Sequence, residues 1–217
     1  WTWGANSYGQ LGDGTNTDSG SGPVQVSGLS DVTAIAAGFY HTIALKSDGT
    51  VWTWGANSYG QLGDGTNTDS GSGPVQVSGL SDVTAIAAGF YHTIALKSDG
   101  TVWTWGANSY GQLGDGTNTD RTTPVQVSGL SGVTAVAGGA YHTVALKSDG
   151  TVWTCGRNHA SQLGDGTNTD RTTPVQVSGL SSVTAVAGGS YHTIALKSDG
   201  TVWAWGYNGY NGLGDGT

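Results

Sequence analysis

Short apolar stretches alternate with polar turns along the whole chain, and the pattern returns about every fifty residues. Residues 1–51 recur identically at 52–102; the units at 103–152 and 153–202 are each one residue shorter, and a fifth runs from 203 to 217. The loss falls where Asp18-Ser-Gly-Ser-Gly-Pro23 becomes Asp120-Arg-Thr-Thr-Pro124. Within a unit the pattern predicts four strands. Val32–Gly38 is small, β-branched and apolar on both faces, as suits a strand crowded on both sides near an axis. His41–Lys46 alternates, placing His41, Ile43 and Leu45 on one face. Asp48-Gly49 then gives a hairpin signal, leading into Thr50–Gly55 with Trp52 and Trp54 on one face. Pro74–Val77 is short and opens on Pro, as an outer edge strand does. Four antiparallel strands repeated radially make a propeller blade, so the predicted class is an all-β propeller of four-stranded antiparallel blades.

The expected organisation is one propeller domain. Residues 1–30 form a partial blade holding strands three and four. Complete blades follow at 31–78, 82–128 and 132–178, and residues 183–217 supply strands one to three of a last one. That makes seventeen strands, one more than four closed blades need. Pro23–Val26 could complete the last blade, but Trp1–Gly4 would then duplicate Trp203–Gly206. About four blades' worth of a larger or oligomer-closed ring is therefore expected, completed by further copies of the chain or by additional sequence. An open arc leaves Trp-rich faces wet, and each buried Trp removes roughly 150–250 Å² from water. The opening on Trp1, inside a repeat, suggests a processed or engineered product or a piece of something longer.

Three segments carry a family resemblance: Gly38-Phe-Tyr-His-Thr-Ile-Ala-Leu45, Asp48-Gly-Thr-Val-Trp-Thr-Trp-Gly-Ala-Asn57 and Gly60-Gln-Leu-Gly-Asp-Gly65. Together they closely resemble the repeat of the regulator of chromosome condensation family, over the whole chain. The resemblance implies a β-propeller, seven-bladed in the family, whose members include exchange factors for a small GTPase and a secreted bacterial inhibitor of β-lactamase. It implies protein binding, at an extracellular or cell-surface location in bacteria. GTPase exchange is remote, because family exchange factors use an inserted hairpin wedge and these units contain no insertion.

Composition narrows the partners. The 217 residues include 39 Gly, nine Trp and nine Tyr; all fifteen acidic residues are Asp, and the net charge is −8. Such acidity disfavours nucleic acid, and no apolar run approaches the ~18 residues of a membrane span. No cofactor is expected. His41, His92, His142 and His192 recur once per unit, too widely spaced to share a metal, and read as structural histidines near the core. Asp13-Gly-Thr-Asn16-Thr-Asp18 could wrap a hard cation through Asp13, Asn16 and Asp18, but reads first as a self-bonded turn, so no metal is expected. Cys155, standing where other units have Trp, reads as a packing substitution, and no catalytic motif appears.

Loops after strands one and three share one face of the disc, and the units differ there. Phe39 and Phe90 become Ala140 and Ser190; Asn6-Ser-Tyr8-Gly-Gln10 becomes Asn158-His159-Ala-Ser-Gln162. The expected binding face therefore comprises Tyr8, Phe39, Tyr59, Phe90, Tyr110, Ala140, His159, Ser190 and Tyr210. The function expected is a non-enzymatic protein-binding or scaffold propeller, whose partner is another protein or further copies of the chain. The alternatives are a structural or designed identical-repeat protein without a ligand, and a calcium-stabilised glycan-binding propeller.

Overall fold

Fifteen strands and one short 3-10 turn are present in the computed structural model, which describes residues 1–71 and 73–216. The first sheet runs β1 (Val32–Ala37), β2 (His41–Lys46), β3 (Val51–Gly55) and β4 (Val75–Gln76). The second runs β5 (Val83–Ala88), β6 (His92–Lys97), β7 (Val102–Gly106) and β8 (Arg121–Gln126). The third runs β9 (Val133–Gly138), β10 (His142–Lys147), β11 (Val152–Gly156) and β12 (Arg171–Gln176). The fourth has three strands among the described residues, β13 (Val183–Gly188), β14 (His192–Lys197) and β15 (Val202–Gly206). All pairings are antiparallel, and the sheets form an arc that is not closed into a ring.

Each blade repeats the same local devices. Thr33 interrupts the β1–β2 register, and its hydroxyl donates to Leu45 O at 3.2 Å; Thr84, Thr134 and Thr184 do likewise in their blades. At the hairpin, Lys46 N–H donates to Thr50 O while Gly49 takes φ +77°, making a three-residue loop closed by a glycine bulge. Asp48 Oδ1 caps it by accepting from Thr50 N (3.0 Å) and Oγ1 (2.6 Å). Those Thr50 hydrogen bonds hold the Asp48 carboxyl below its usual range.

The core lies between sheets rather than within one. Ile43, Leu45 and Val51 of the first sheet pack against Val83, Ala95 and Trp105 of the second, with Val77 and Leu80 beneath. The same seam recurs at the next two junctions. As expected, the paired tryptophans of strand three share a face, Trp103 and Trp105 both packing on the preceding blade's seam. Their depths differ. Trp105 is fully buried, and Trp103 lies partly buried beneath the Lys97 ammonium, 5.8 Å from its ring.

The first thirty residues differ from expectation. Trp1–Gly4 and Pro23–Val26 do not form strands; they share a single bridge between Thr2 and Val24. Among the described residues these segments bridge only to each other, and two isolated strands are marginal in water. Val75–Gln76 is likewise short, whereas the Arg-Thr-Thr-Pro form of the loop lengthens the outer strand to six residues in β8 and β12.

Candidate functional site

The long loop after strand three is built around one buried asparagine. Asn6 Nδ2 donates to Thr15 O (3.0 Å), Thr17 O (3.1 Å) and Asp13 Oδ1 (3.3 Å), and its Oδ1 accepts from Leu11 N–H. Asp18 Oδ1 accepts from Asn6 N–H at 2.8 Å. Oriented to suit its neighbours, the Asn16 amide donates to Gly71 O and Thr15 O. Asp13 Oδ1 and Asp18 Oδ1 thus accept from N–H and O–H donors of the chain, and the Asn6 amide nitrogen sits among the loop's carbonyls. Asn57, Asn108 and Asn158 organise the later loops in the same way. Arg121 reinforces one of them by pairing with Asp115 at 2.7 Å. Burial pushes the Asp115 carboxyl up, but the Thr117 and Arg121 hydrogen bonds outweigh it and leave it low.

That loop delivers hydrogen bonds to the next blade. Gln10 O accepts from both Trp54 Nε1 (2.9 Å) and Thr42 Oγ1 (2.9 Å), and Gln61 O and Gln162 O serve Trp105 with Thr93 and Trp205 with Thr193. Between the second and third sheets Cys155 Sγ reaches only 3.7 Å from Gln112 O. The recurring histidines also cross junctions. His41 Nε2 bonds Thr93 Oγ1 at 3.0 Å, His92 bonds Thr143, and His142 bonds Thr193. Burial lowers their pKa values to about 4, 3 and 4 respectively, so the rings are neutral connectors.

On the disc face opposite the Asp-Gly hairpins, aromatic rings form a continuous arc. Tyr40, Tyr91, Tyr141 and Tyr191 follow one another at centroid distances of 6.5, 6.4 and 6.3 Å. Tyr8, Tyr59 and Tyr110 stand beside it, at 4.9 Å from Tyr40, 5.4 Å from Tyr91 and 5.4 Å from Tyr141. Phe39 and Phe90 meet at 5.0 Å on the inner side. Burial, then the neighbouring phenols, push the Tyr91 and Tyr141 hydroxyls up, keeping them protonated donors.

Most of the expected face comes together here. Phe39 is half-exposed, Phe90 and Tyr110 are partly buried in the arc, and His159 stands exposed with its ring 6.3 Å from Tyr110. Ser190 is exposed at the mouth of the axis. Two members need correction. Ala140 is only 1% exposed, because its N–H donates to Ser190 O and its C=O accepts from Phe90 N–H in a run of blade-to-blade bonds around the axis. Tyr210 sits in the turn Gly209–Asn211 at φ +70° and is 99% exposed, away from the arc's ring contacts. The sequence reading missed the arc's backbone, Tyr40, Tyr91, Tyr141 and Tyr191, and also Arg157. The signal was present, since each tyrosine precedes a recurring histidine, but these tyrosines are identical in every unit and carry no contrast between repeats.

The family model for the RCC1-like domain matches residues 1–217. Human E3 ubiquitin-protein ligase HERC2 is 41% identical over 121 residues, covering 54% of this chain and 2% of HERC2. The ultraviolet-B receptor UVR8 of Arabidopsis thaliana is 41% identical over 125 residues, covering 56% of this chain and 28% of the receptor. The crystal structure of Prp20p from Saccharomyces cerevisiae, described with its binding properties to Gsp1p and histones, matches at TM-score 0.81 and 25% identity, over 100% of this chain and 55% of Prp20p. The chain therefore spans a minor part of these curated relatives and about half of Prp20p. These relatives are intracellular, nuclear or cytosolic proteins, which overturns the expected extracellular or cell-surface location. Among the described residues no helix is long and apolar enough to cross a membrane.

Proposed function

The chain belongs to the RCC1-like domain family, and from that premise we propose that it is a non-enzymatic protein-binding propeller segment whose partners dock on the tyrosine-lined face. The unbroken arc Tyr40–Tyr91–Tyr141–Tyr191, flanked by half-exposed Phe39 and Tyr59, is the observation that carries this reading. Aromatic side chains give large, rigid contact area with a polar tip, the composition of energetically dominant interface positions. The binding of Gsp1p and histones named for Prp20p supports a protein partner. The units at 1–30, 31–78, 82–128, 132–178 and 183–217 act in this reading as one propeller domain. Its non-enzymatic character is supported by where the reactive groups lie. The rings of His41, His92 and His142 are buried at junctions, and burial pushes the Cys155 thiol up to about 12, far from a thiolate at ordinary pH.

The test uses residues that the repeats already tolerate. Phe39→Ser with Phe90→Ala introduces the side chains of the fourth and third units. A partner captured by the 217-residue chain and identified by mass spectrometry should be retained at least about fivefold less well by this pair, on the scale of two lost aromatic contacts. Undiminished retention would overturn the reading. A second reading, closure by further copies of the chain, is favoured by the two open sheet faces. Ile35 and Val202 are 75% and 67% exposed there, while their counterparts at internal junctions are covered.

A further inference from the structure

The fourth and fifth units depart from the others at adjoining positions of the loop face. Where earlier units carry Ala5, Ala56 and Ala107, these carry Arg157 and Tyr207; where earlier units carry Ser7, Ser58 and Ser109, the fourth carries His159. The new side chains meet. The Arg157 guanidinium carbon lies 5.0 Å from the Tyr110 ring centre, 5.7 Å from Tyr141 and 5.5 Å from Tyr191. Its Nε donates to His159 Nδ1 at 3.1 Å, which makes Nδ1 the acceptor and leaves the neutral ring's proton on Nε2.

The cation is uncommitted. Arg121 and Arg171 each pair with an aspartate at 2.7 Å, whereas Arg157 makes no ion pair among the described residues, and its Nη groups make no hydrogen bond there. Stacked on three rings, the guanidinium is held in place with its fork free. Beside it opens a cavity of about 650 Å³ lined by Arg157, His159, Gln162, Tyr191, Tyr207 and Tyr210, among others. Gln162 is fully buried; its Oε1 accepts from Ala160 N–H at 2.9 Å, and its Nε2 has no partner among the described residues. A buried amide nitrogen without an acceptor is rare in native proteins and points to a missing one. Tyr207 meets Tyr191 edge-on at a centroid distance of 6.3 Å, and a Cβ on Gly209 would collide with the Tyr207 ring, so glycine makes room for this wall.

We propose that this pocket receives an oxyanion of a partner protein, a carboxylate or a phosphorylated side chain, carried on an apolar stem. Arg157 takes the oxyanion through its planar fork, His159 and Gln162 add donors, and the rings of Tyr191 and Tyr207 take the stem. The inference rests on the protein-binding reading of this face and gives it a chemistry and a sector.

Small probes test it on the full 217-residue chain. Calorimetry and proton–nitrogen correlation spectra would follow titration with 3-phenylpropionate, with phenyl phosphate and with the neutral 3-phenylpropanol. At least one anion should bind at least about tenfold more tightly than the alcohol, the scale of one charge-assisted hydrogen bond. Binding of the carboxylate alone assigns an acidic side chain or chain end; binding of the phosphate alone assigns a phosphorylated residue; binding of both supports the shared chemistry. Arg157→Ala restores the residue of three other units and should weaken the anions by at least about tenfold without altering the alcohol. Gln162→Glu keeps the acceptor for Ala160 N–H but replaces the donor with an anion, and should weaken them similarly. Absence of anion binding, equal binding of anion and alcohol, or indifference to Arg157→Ala each overturns the proposal. A partner lost on changing Phe39 and Phe90 but untouched by Arg157→Ala would overturn this inference and leave the protein-binding reading standing.

Discussion

Each of His41, His92 and His142 spends its one good hydrogen bond on a threonine of the next blade, with its ring sealed from water. Their folded pKa values, about 4, 3 and 4, lie below the unfolded value of 6.5. Between about pH 6.5 and 4 the unfolded chain therefore binds more protons, so stability is fully present above this window and falls as pH drops through it. Calorimetric scans should show Tm declining steadily from pH 6.5 to 4; a flat Tm across that range would contradict burial of these rings. The tryptophan bonds make a second residue-scale case. Trp105→Phe keeps most of the buried ring but leaves Gln61 O with Thr93 alone, and should cost about 1–2 kcal/mol in denaturant titration. The junction between the second and third sheets has a weaker version, the 3.7 Å contact of Cys155, with the same strand register around it as in the other blades.

At the scale of elements, the strands were legible because their signals are local. Period-two alternation in His41–Lys46 and the Asp48-Gly49 turn depend on residues a few positions apart, and both appear where the pattern puts them. The loop after strand three was half legible. Asp and Asn marked a turn, but the partner that organises it, Asn57, lies up to twelve residues from the groups it binds. Asn57→Ala would strand Leu62 N–H and the carbonyls of Thr66 and Thr68 in a largely buried site. It should destabilise the protein by about 3 kcal/mol, read from urea unfolding, given ~1 kcal/mol or more for each orphaned group. A loss below about 0.5 kcal/mol would mean that the loop has another organiser. Gly49→Ala places a side chain at φ +77° and 3.2 Å from Asp82 backbone, so it should cost about 1–2 kcal/mol while leaving the blade intact by circular dichroism.

For the whole molecule, the seam between sheets is the recurring unit of stability, and the arc leaves one half of that seam uncovered at each end. Ile35 with Trp3 is open on the first side and Val202 with Trp203 on the other. Sedimentation velocity over a wide concentration range should reveal self-association of the 217-residue chain, and Ile35→Lys should reduce it by putting a charge on the apolar face. A monomer unaffected by concentration would set aside closure by copies. The candidate face was legible only in part for a related reason. Variation between units marks Phe39, Tyr59 and His159, which do lie there, but it equally marks Ala140, whose burial at the axis depends on the two neighbouring blades. The invariant tyrosines carried no such contrast, although they form the arc.

The sequence by itself determined the blade: its strand order, its hairpin, the paired tryptophans and the repeat that multiplies them, because each rests on short-range periodicity and turn chemistry. Tertiary structure alone decided what the repeats make together. The histidine–threonine bonds, the shared glutamine carbonyls, the tyrosine arc and the cage around Arg157 join groups from sixteen to fifty-two residues apart. Their distances are set by how one twisted sheet packs against the next, which no local pattern encodes.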